Sequence, residues 1–278
     1  MKNDITPIPQ SYELSQQLSQ SIVEKRKLWE NINYACIGAI GLSFILKPLL
    51  FPGIIGIIVS LSMSDKLKKQ HTKLITETSG YDIISSVFPD AGYDPKGMSK
   101  KELFYMNFLK KPCSMEYKSS NFIAATCNNA SFRYSDLNMT NGDCETFKGH
   151  IIKVQSEQLA GSHRVAFVSK KFNFKLSKFP IRTTTNFSLF DDNFKILSNG
   201  ENDSAYIVTE KRINYILNLF TKSPKMCIFY DGPASSMYIM LEGKKLIKAP
   251  SSDGNMQDTT RKALERLHSI EQHIISLM

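Results

Sequence analysis

Histidines, cysteines and clustered carboxylates are the side chains of this chain that could do chemistry, and their spacing argues against most of it. The histidines are His71, His150, His163, His268 and His273. His268 and His273 stand five apart, which on a helix turns them to different faces, whereas a zinc-binding H-E-x-x-H helix needs a spacing of four. The cysteines are Cys36, Cys113, Cys127, Cys144 and Cys227, an odd number with no C-x-x-C pair. Tetrahedral zinc sites are usually assembled from such close pairs. No metal site is expected, and the thiols read as reduced and inert. Asp191, Asp192, Glu201 and Asp203 cluster without the spacing of a calcium loop, so they read as solvated loop acids. Glu265 and Glu271 lie among Arg261, Lys262 and Arg266 as surface charge pairs on a helix. Neither a nucleophile elbow nor a phosphate loop is written anywhere. No catalytic residue and no cofactor is expected, and the reading leans away from an enzyme.

The elements that carry these residues begin with composition. At 278 residues, 42% hydrophobic and 22% charged, the chain has enough apolar material for a globular domain with an appendage. Five cysteines are too few for a disulfide-dense scaffold. A formal net charge of +9 points to anionic surroundings, either lipid or nucleic acid.

Residues 29–63 carry the strongest signal. Ile32–Leu46 and Leu49–Met63 hold no formal charge and are separated by Lys47-Pro48, with Pro52-Gly53 soon after. Proline removes a donor and restricts its predecessor, so the pattern predicts helix, turn, helix. Trp29–Leu46 would rise about 27 Å and Gly53–Leu67 about 22 Å, against a bilayer core of about 30 Å. Both runs are apolar on all faces, which suits lipid better than water. Small residues recur at a spacing of three: Ala35, Gly38 and Gly41 in the first helix, Gly53 and Gly56 in the second. They predict a close-packed seam, since lipid supplies no hydrophobic drive between helices. The flanks are basic: Lys25, Arg26 and Lys27 before, Lys66, Lys68, Lys69 and Lys73 after, with Trp29 at the interface. By the positive-inside rule both ends stay in the cytoplasm and the Lys47 turn reaches the far side. A multi-pass inner-membrane protein with most of its chain cytoplasmic follows.

The remaining pattern predicts an α+β fold: an N-terminal transmembrane hairpin, then a mixed, mainly antiparallel sheet with a C-terminal helix. Residues 1–28 read as an amphipathic helix, 29–67 as the membrane hairpin, 68–118 as a helical linker region and 119–278 as the cytoplasmic domain. Strands are expected at 122–126, 130–134, 145–155, 163–169, 171–176, 193–198, 225–230 and 237–241, and helices over 209–221 and 257–277. Residues 89–97 read as a loop, and Ser99 with Glu102 forms a capping box opening a helix to about Leu109. Over 145–189, eight basic residues face two acids. Lys170, Lys171, Lys175 and Lys178 are expected on one basic face, available to anionic lipid headgroups at about 1 kcal/mol per charge. Nucleic acid is the weaker partner, because no recognised binding motif accompanies the charge.

Several short motifs follow in order: Tyr93-x-Pro95-x-Gly97-x-Ser99-x-x-Glu102, Phe132-Arg133-Tyr134-Ser135-Asp136-Leu137, Phe147-Lys148-Gly149-His150-Ile151-Ile152, Phe194-Lys195-Ile196-Leu197-Ser198, Ser204-Ala205-Tyr206-Ile207-Val208-Thr209 and Met237-Tyr238-Ile239. Behind a basic-flanked hairpin, this order resembles the bacterial domain-of-unknown-function family 3137, membrane proteins without assigned catalytic residues. The resemblance implies an integral membrane location and leaves activity open. The expected function is a membrane-anchored, non-enzymatic interaction or scaffolding protein. The alternatives are a lipid- or ligand-sensing domain and an enzyme acting on a membrane-linked substrate. The lipid bilayer is the expected partner; the small-residue faces permit homo-oligomers as readily as packing within one hairpin.

Overall fold

The computed structural model describes residues 10–43, 47–78, 80–105, 115–141, 145–172, 181–183, 187–200, 209–247 and 256–278. The chain divides into two compact units, Met1–Ile83 with Ile247–Leu264, and Ile84–Leu246 with Glu265–Met278.

The first unit is a helical hairpin. Helix α1 runs Gln10–Leu42 and α2 runs Leu50–Thr78, preceded by a 3-10 turn at Lys47–Leu49. Pro52 does not delay the second helix. It sits in the first turn of α2, where its missing donor would be unpaired anyway. At 33 and 29 residues, both helices exceed the about 20 residues that a bilayer core requires. The amphipathic N-terminal stretch and the first apolar run are therefore one helix. Among the described residues, one helix is long and apolar enough to cross a membrane, over Lys47–His71, and it is mostly exposed. Two such runs were expected.

The second unit is built on one antiparallel sheet of nine strands: β1 (Gly92–Asp94), β2 (Met115–Cys127), β3 (Ala130–Asn141), β4 (Glu145–Gln155), β5 (Arg164–Ser169), β6 (Ile181–Thr183), β7 (Phe194–Ser198), β8 (Met226–Asp231) and β9 (Ser236–Glu242). Their spatial order is β1-β2-β3-β4-β9-β8-β5-β7-β6. Strand β1 falls inside the stretch read as a loop and pairs with Phe122–Ala124, so the sheet begins well before residue 119. Hairpin β2–β3 turns at Asn128 and Asn129, both at positive φ, the conformation that a two-residue hairpin needs and that asparagine tolerates. A bulge at Asn121, also at positive φ, shifts the β2–β3 register between Ser120 and Ile123.

Among the described residues five further α-helices follow: α3 (Gly80–Ser85), α4 (Lys100–Tyr105), α5 (Ser188–Asn193), α6 (Glu210–Lys222) and α7 (Met256–Leu277). Strands β8 and β9 are buried on both faces, so they read as near-continuous apolar runs. On one face Phe147, Ile151, Met240, Phe229 and Cys227 pack with Met98 and Leu103 into a single core. The opposite face is covered by α6 and the Glu265–Met278 part of α7. Thr209 caps α6 by accepting from the Arg212 N–H at 3.3 Å, and Ile213, Ile216 and Leu219 point inward. The end of α7 is tied down by the Tyr230 hydroxyl, which donates to the Leu277 carbonyl at 2.8 Å.

Candidate functional site

In the hairpin unit, α1 and α2 pack along a seam spaced by sevens. Ser19 and Arg26 on α1, and Gly53, Ser60 and Leu67 on α2, are buried, the spacing of antiparallel coiled-coil packing. Gly53 and Gly56 lie in it as expected. A side chain at Gly53 would meet Ile40 at 2.7 Å and the Cys36 carbonyl at 3.2 Å, and one at Gly56 would run into Cys36. The partner stripe differs from the expectation. Ala35 is exposed, and Gly38 and Gly41 face open space. The seam on α1 runs through Cys36 and Ile40 instead, because the periodicity set by Ser19 and Arg26 rotates the three small residues outward.

The basic flank also splits. Lys25, Lys27, Lys66, Lys68, Lys69 and Lys73 are exposed and Trp29 is half-buried. Arg26, by contrast, is only 7% exposed and lies 3.6 Å from Glu30 within the seam. Ser19 and His71 meet at 2.6 Å in the same seam. In the sheet unit, Lys170 and Lys171 are exposed in the turn after β5. Lys175 and Lys178 lie outside the described residues, as do Cys113, Cys144, Glu201, Asp203 and Ser204–Val208. Phe172, expected on a strand, is buried in that turn.

The chemistry that the structure does assemble lies elsewhere. Between α6, the end of α7 and strands β4 and β9 at the middle of the sheet opens a groove of about 1080 Å³. Strand pairing builds its floor. His150 on β4 stands opposite Asp136 on β3 and Leu241 on β9. Tyr134, two residues before Asp136, shares that face. The Tyr134 and His150 rings lie 5.4 Å apart. Leu219 and Ile270 close the floor from the helices, and Lys148, Lys222 and Lys244 stand exposed around it.

Behind the floor runs a satisfied polar network. Asp136, 1% exposed, accepts from the Tyr134 hydroxyl and from Asn121 Nδ2, both at 2.6 Å, and from the Leu246 N–H at 3.0 Å. Asn121 Oδ1 accepts in turn from the Tyr93 hydroxyl at 2.8 Å. Burial pushes the Asp136 carboxyl up, against the pull of these donors. Burial, and then the nearby Asp136 charge, push the Tyr134 hydroxyl well up.

The histidines contrast with this. His273 Nδ1 meets the Tyr215 hydroxyl at 2.8 Å and its Nε2 meets Ser269 Oγ at 3.1 Å. Burial, then Lys222, hold it down to about 4. His150 keeps partial exposure, yet both its ring nitrogens are shut off from solvent and have no hydrogen-bond partner. Burial, then His273 and Arg266, hold it down to about 3, so it is neutral at physiological pH. A neutral imidazole carries one donor and one acceptor. Leaving a buried one unmet costs about 1–3 kcal/mol. Such an orphan in a native fold calls for a water, an ion or a ligand as its partner.

The five-residue spacing of His268 and His273 gives no hint of this groove. The available signal was His150 itself, a polar side chain in Gly149-His150-Ile151-Ile152, where strand alternation aims it into the core layer. Among the described residues no group of histidine, cysteine and carboxylate ligands converges for a metal.

No family model, curated protein or solved structure matches the chain.

Proposed function

We propose that the chain is a membrane-anchored, non-enzymatic interaction protein of the bacterial inner membrane. Its hairpin crosses the bilayer twice with the Lys47 turn on the far side, and its sheet domain works in the cytoplasm. One observation carries this reading: the outer face of α2 presents Phe51, Ile55 and Ile58 at 74%, 60% and 62% exposure, within a run of large apolar side chains. An exposed apolar run of this size marks a surface that meets a membrane or another protein. Exposed lysines at the base of both helices supply the positive-inside signal. Lys170 and Lys171 are available to anionic headgroups, and the outward stripe Ala35, Gly38 and Gly41 is available to a second copy.

Fractionation tests the anchor. The protein should stay in the membrane pellet after a carbonate wash, and release into the supernatant would overturn the reading. The two-pass topology is tested separately by replacing the five native cysteines with serine and introducing Lys47→Cys. An impermeant maleimide added outside intact cells should label that site and spare a matching Lys170→Cys variant.

The orphaned His150 in an apolar groove favours a second reading within this frame, in which the sheet domain senses a small ligand at the membrane. The groove offers apolar floor, cationic rim and neutral imidazole, the elements from which ligand sites are built.

A further inference from the structure

We propose that the groove binds a phosphate-bearing amphiphile, its phosphate among Lys148, Lys222 and Lys244 and its apolar part over Leu219, Leu241 and Ile270. The inference rests on the ligand-sensing reading and names the ligand class. Charge selects the sign: Lys148, Lys222, Lys244 and Arg266 line the groove against Glu242 and Glu265. Two of these six are already engaged. The Arg266 guanidinium donates to the carbonyls of Lys245 and Leu246, the latter at 2.8 Å, and Glu242 lies 3.7 Å from Lys225. Four groups remain, the exposed ammonium groups of Lys148, Lys222 and Lys244 and the exposed Glu265 carboxylate, a net positive rim. A phosphomonoester carries about −1.5 to −2 charges at neutral pH, which suits such a rim. Lysine binds phosphate as a point charge and does not need the fork of an arginine.

The floor selects the rest of the molecule. Leu219, Leu241 and Ile270 are buried side chains whose groove-facing surface is apolar, and Tyr134 adds a ring beside His150. His150 lines the groove with both ring nitrogens shut off from solvent. Gly243 lies directly over the imidazole, where a side chain would come within 3.4 Å of its Cε1. A larger residue there would cover the ring.

Titration calorimetry on the full-length protein in neutral detergent tests this with hexyl phosphate and inorganic phosphate. Thermal unfolding in phosphatidylcholine nanodiscs, with and without phosphatidic acid, tests a lipid-borne source. Binding of hexyl phosphate well above inorganic phosphate supports a soluble ligand. Stabilisation by phosphatidic acid alone supports a lipid. In either case the triple variant Lys148→Gln, Lys222→Gln, Lys244→Gln, altered only at exposed positions, should weaken the response by about tenfold or more. His150→Leu, which removes two buried unmet nitrogens, should melt higher in the absence of ligand. The proposal is overturned if no probe produces a response, or if the triple variant responds like the unaltered protein. The anchor is judged apart: a protein released by carbonate that still binds hexyl phosphate defeats the anchor alone, and a membrane-held protein with no response defeats the ligand alone.

Discussion

In the hairpin, Phe51, Ile55 and Ile58 stand outside while Ser60, Arg26 and His71 lie buried between the helices. In the sheet domain Phe147, Ile151 and Met240 are sealed inside, and Lys148, Lys170 and Lys171 stand outside. The two regions come from one chain but are sorted in opposite directions. Hydrophobic burial organises the sheet domain, with apolar side chains packed inside and charges outside. The hairpin keeps its apolar side chains on the outside and holds its helices together with close packing and polar contacts, as helices do in lipid.

The sharpest way to break this contrast is to charge the outer face of α2. Ile55→Lys with Ile58→Lys would be harmless to a helix surrounded by water. At the centre of a bilayer two lysines cost about 5–7 kcal/mol on insertion scales. The double variant should leave the membrane fraction and be degraded or aggregate, as read by fractionation and blotting. Unchanged membrane retention would mean that the outer face never meets lipid.

The matching change in the sheet domain runs the other way. Phe147→Ala empties a fully buried site that packs against Phe172 with ring centroids 5.9 Å apart. Truncating a buried phenylalanine costs about 3–5 kcal/mol. Denaturant unfolding of the full chain in detergent should lose that much, with membrane retention preserved.

Sequence periodicity made most of this architecture legible. The α6 and α7 spans, the β8–β9 hairpin and the long α1 and α2 helices follow from spacing and turn residues alone. Strand β1 was hidden because three residues rich in turn formers carry no alternation, and only pairing with β2 makes them a strand. The helix seam was misplaced on α1 because small residues at a spacing of three suit lipid contact and helix contact equally. Only the heptad register through Ser19 and Arg26 decides between them. The groove was invisible because its members come from β3, β4, β9, α6 and α7, and no local pattern connects residues 134, 150, 222 and 273. Periodicity reports which side of an element is buried, and a site assembled across the fold lies beyond its reach.

Acid should sharpen the comparison within the sheet domain. His273 is held down to about 4, against an ordinary value of 6.5. Below pH 6.5 the unfolded chain takes up a proton that the folded one refuses, so stability falls as pH drops from about 6.5 toward 4. At pH 5 the loss from His273 is about 2 kcal/mol. The groups facing this ring are Tyr215, Ser269 and Lys222, with His150 nearby; none is a carboxylate that would offset the effect. His150 shifts in the same direction and adds to the slope. Thermal melts of His273→Gln across pH 7 to 5 should be flatter than those of the unaltered protein. Parallel curves would remove the histidine from the account.

The smallest effect tests the hairpin from inside. Gly56 sits against Cys36, and Gly38, two residues along the other helix, faces open space. Gly56→Ala must push the helices apart or displace the Cys36 thiol, a loss of about 1–3 kcal/mol for overpacking a close contact. Gly38→Ala meets nothing and removes backbone freedom from a helix interior, a gain of about 0.5–1 kcal/mol. Thermal unfolding in detergent should therefore move in opposite directions for two chemically identical substitutions. If Gly38→Ala destabilises instead, or dissociates a dimer on a sizing column, the outward stripe of Ala35, Gly38 and Gly41 is in contact with another helix. The seam within one hairpin would then be half of a larger packing arrangement.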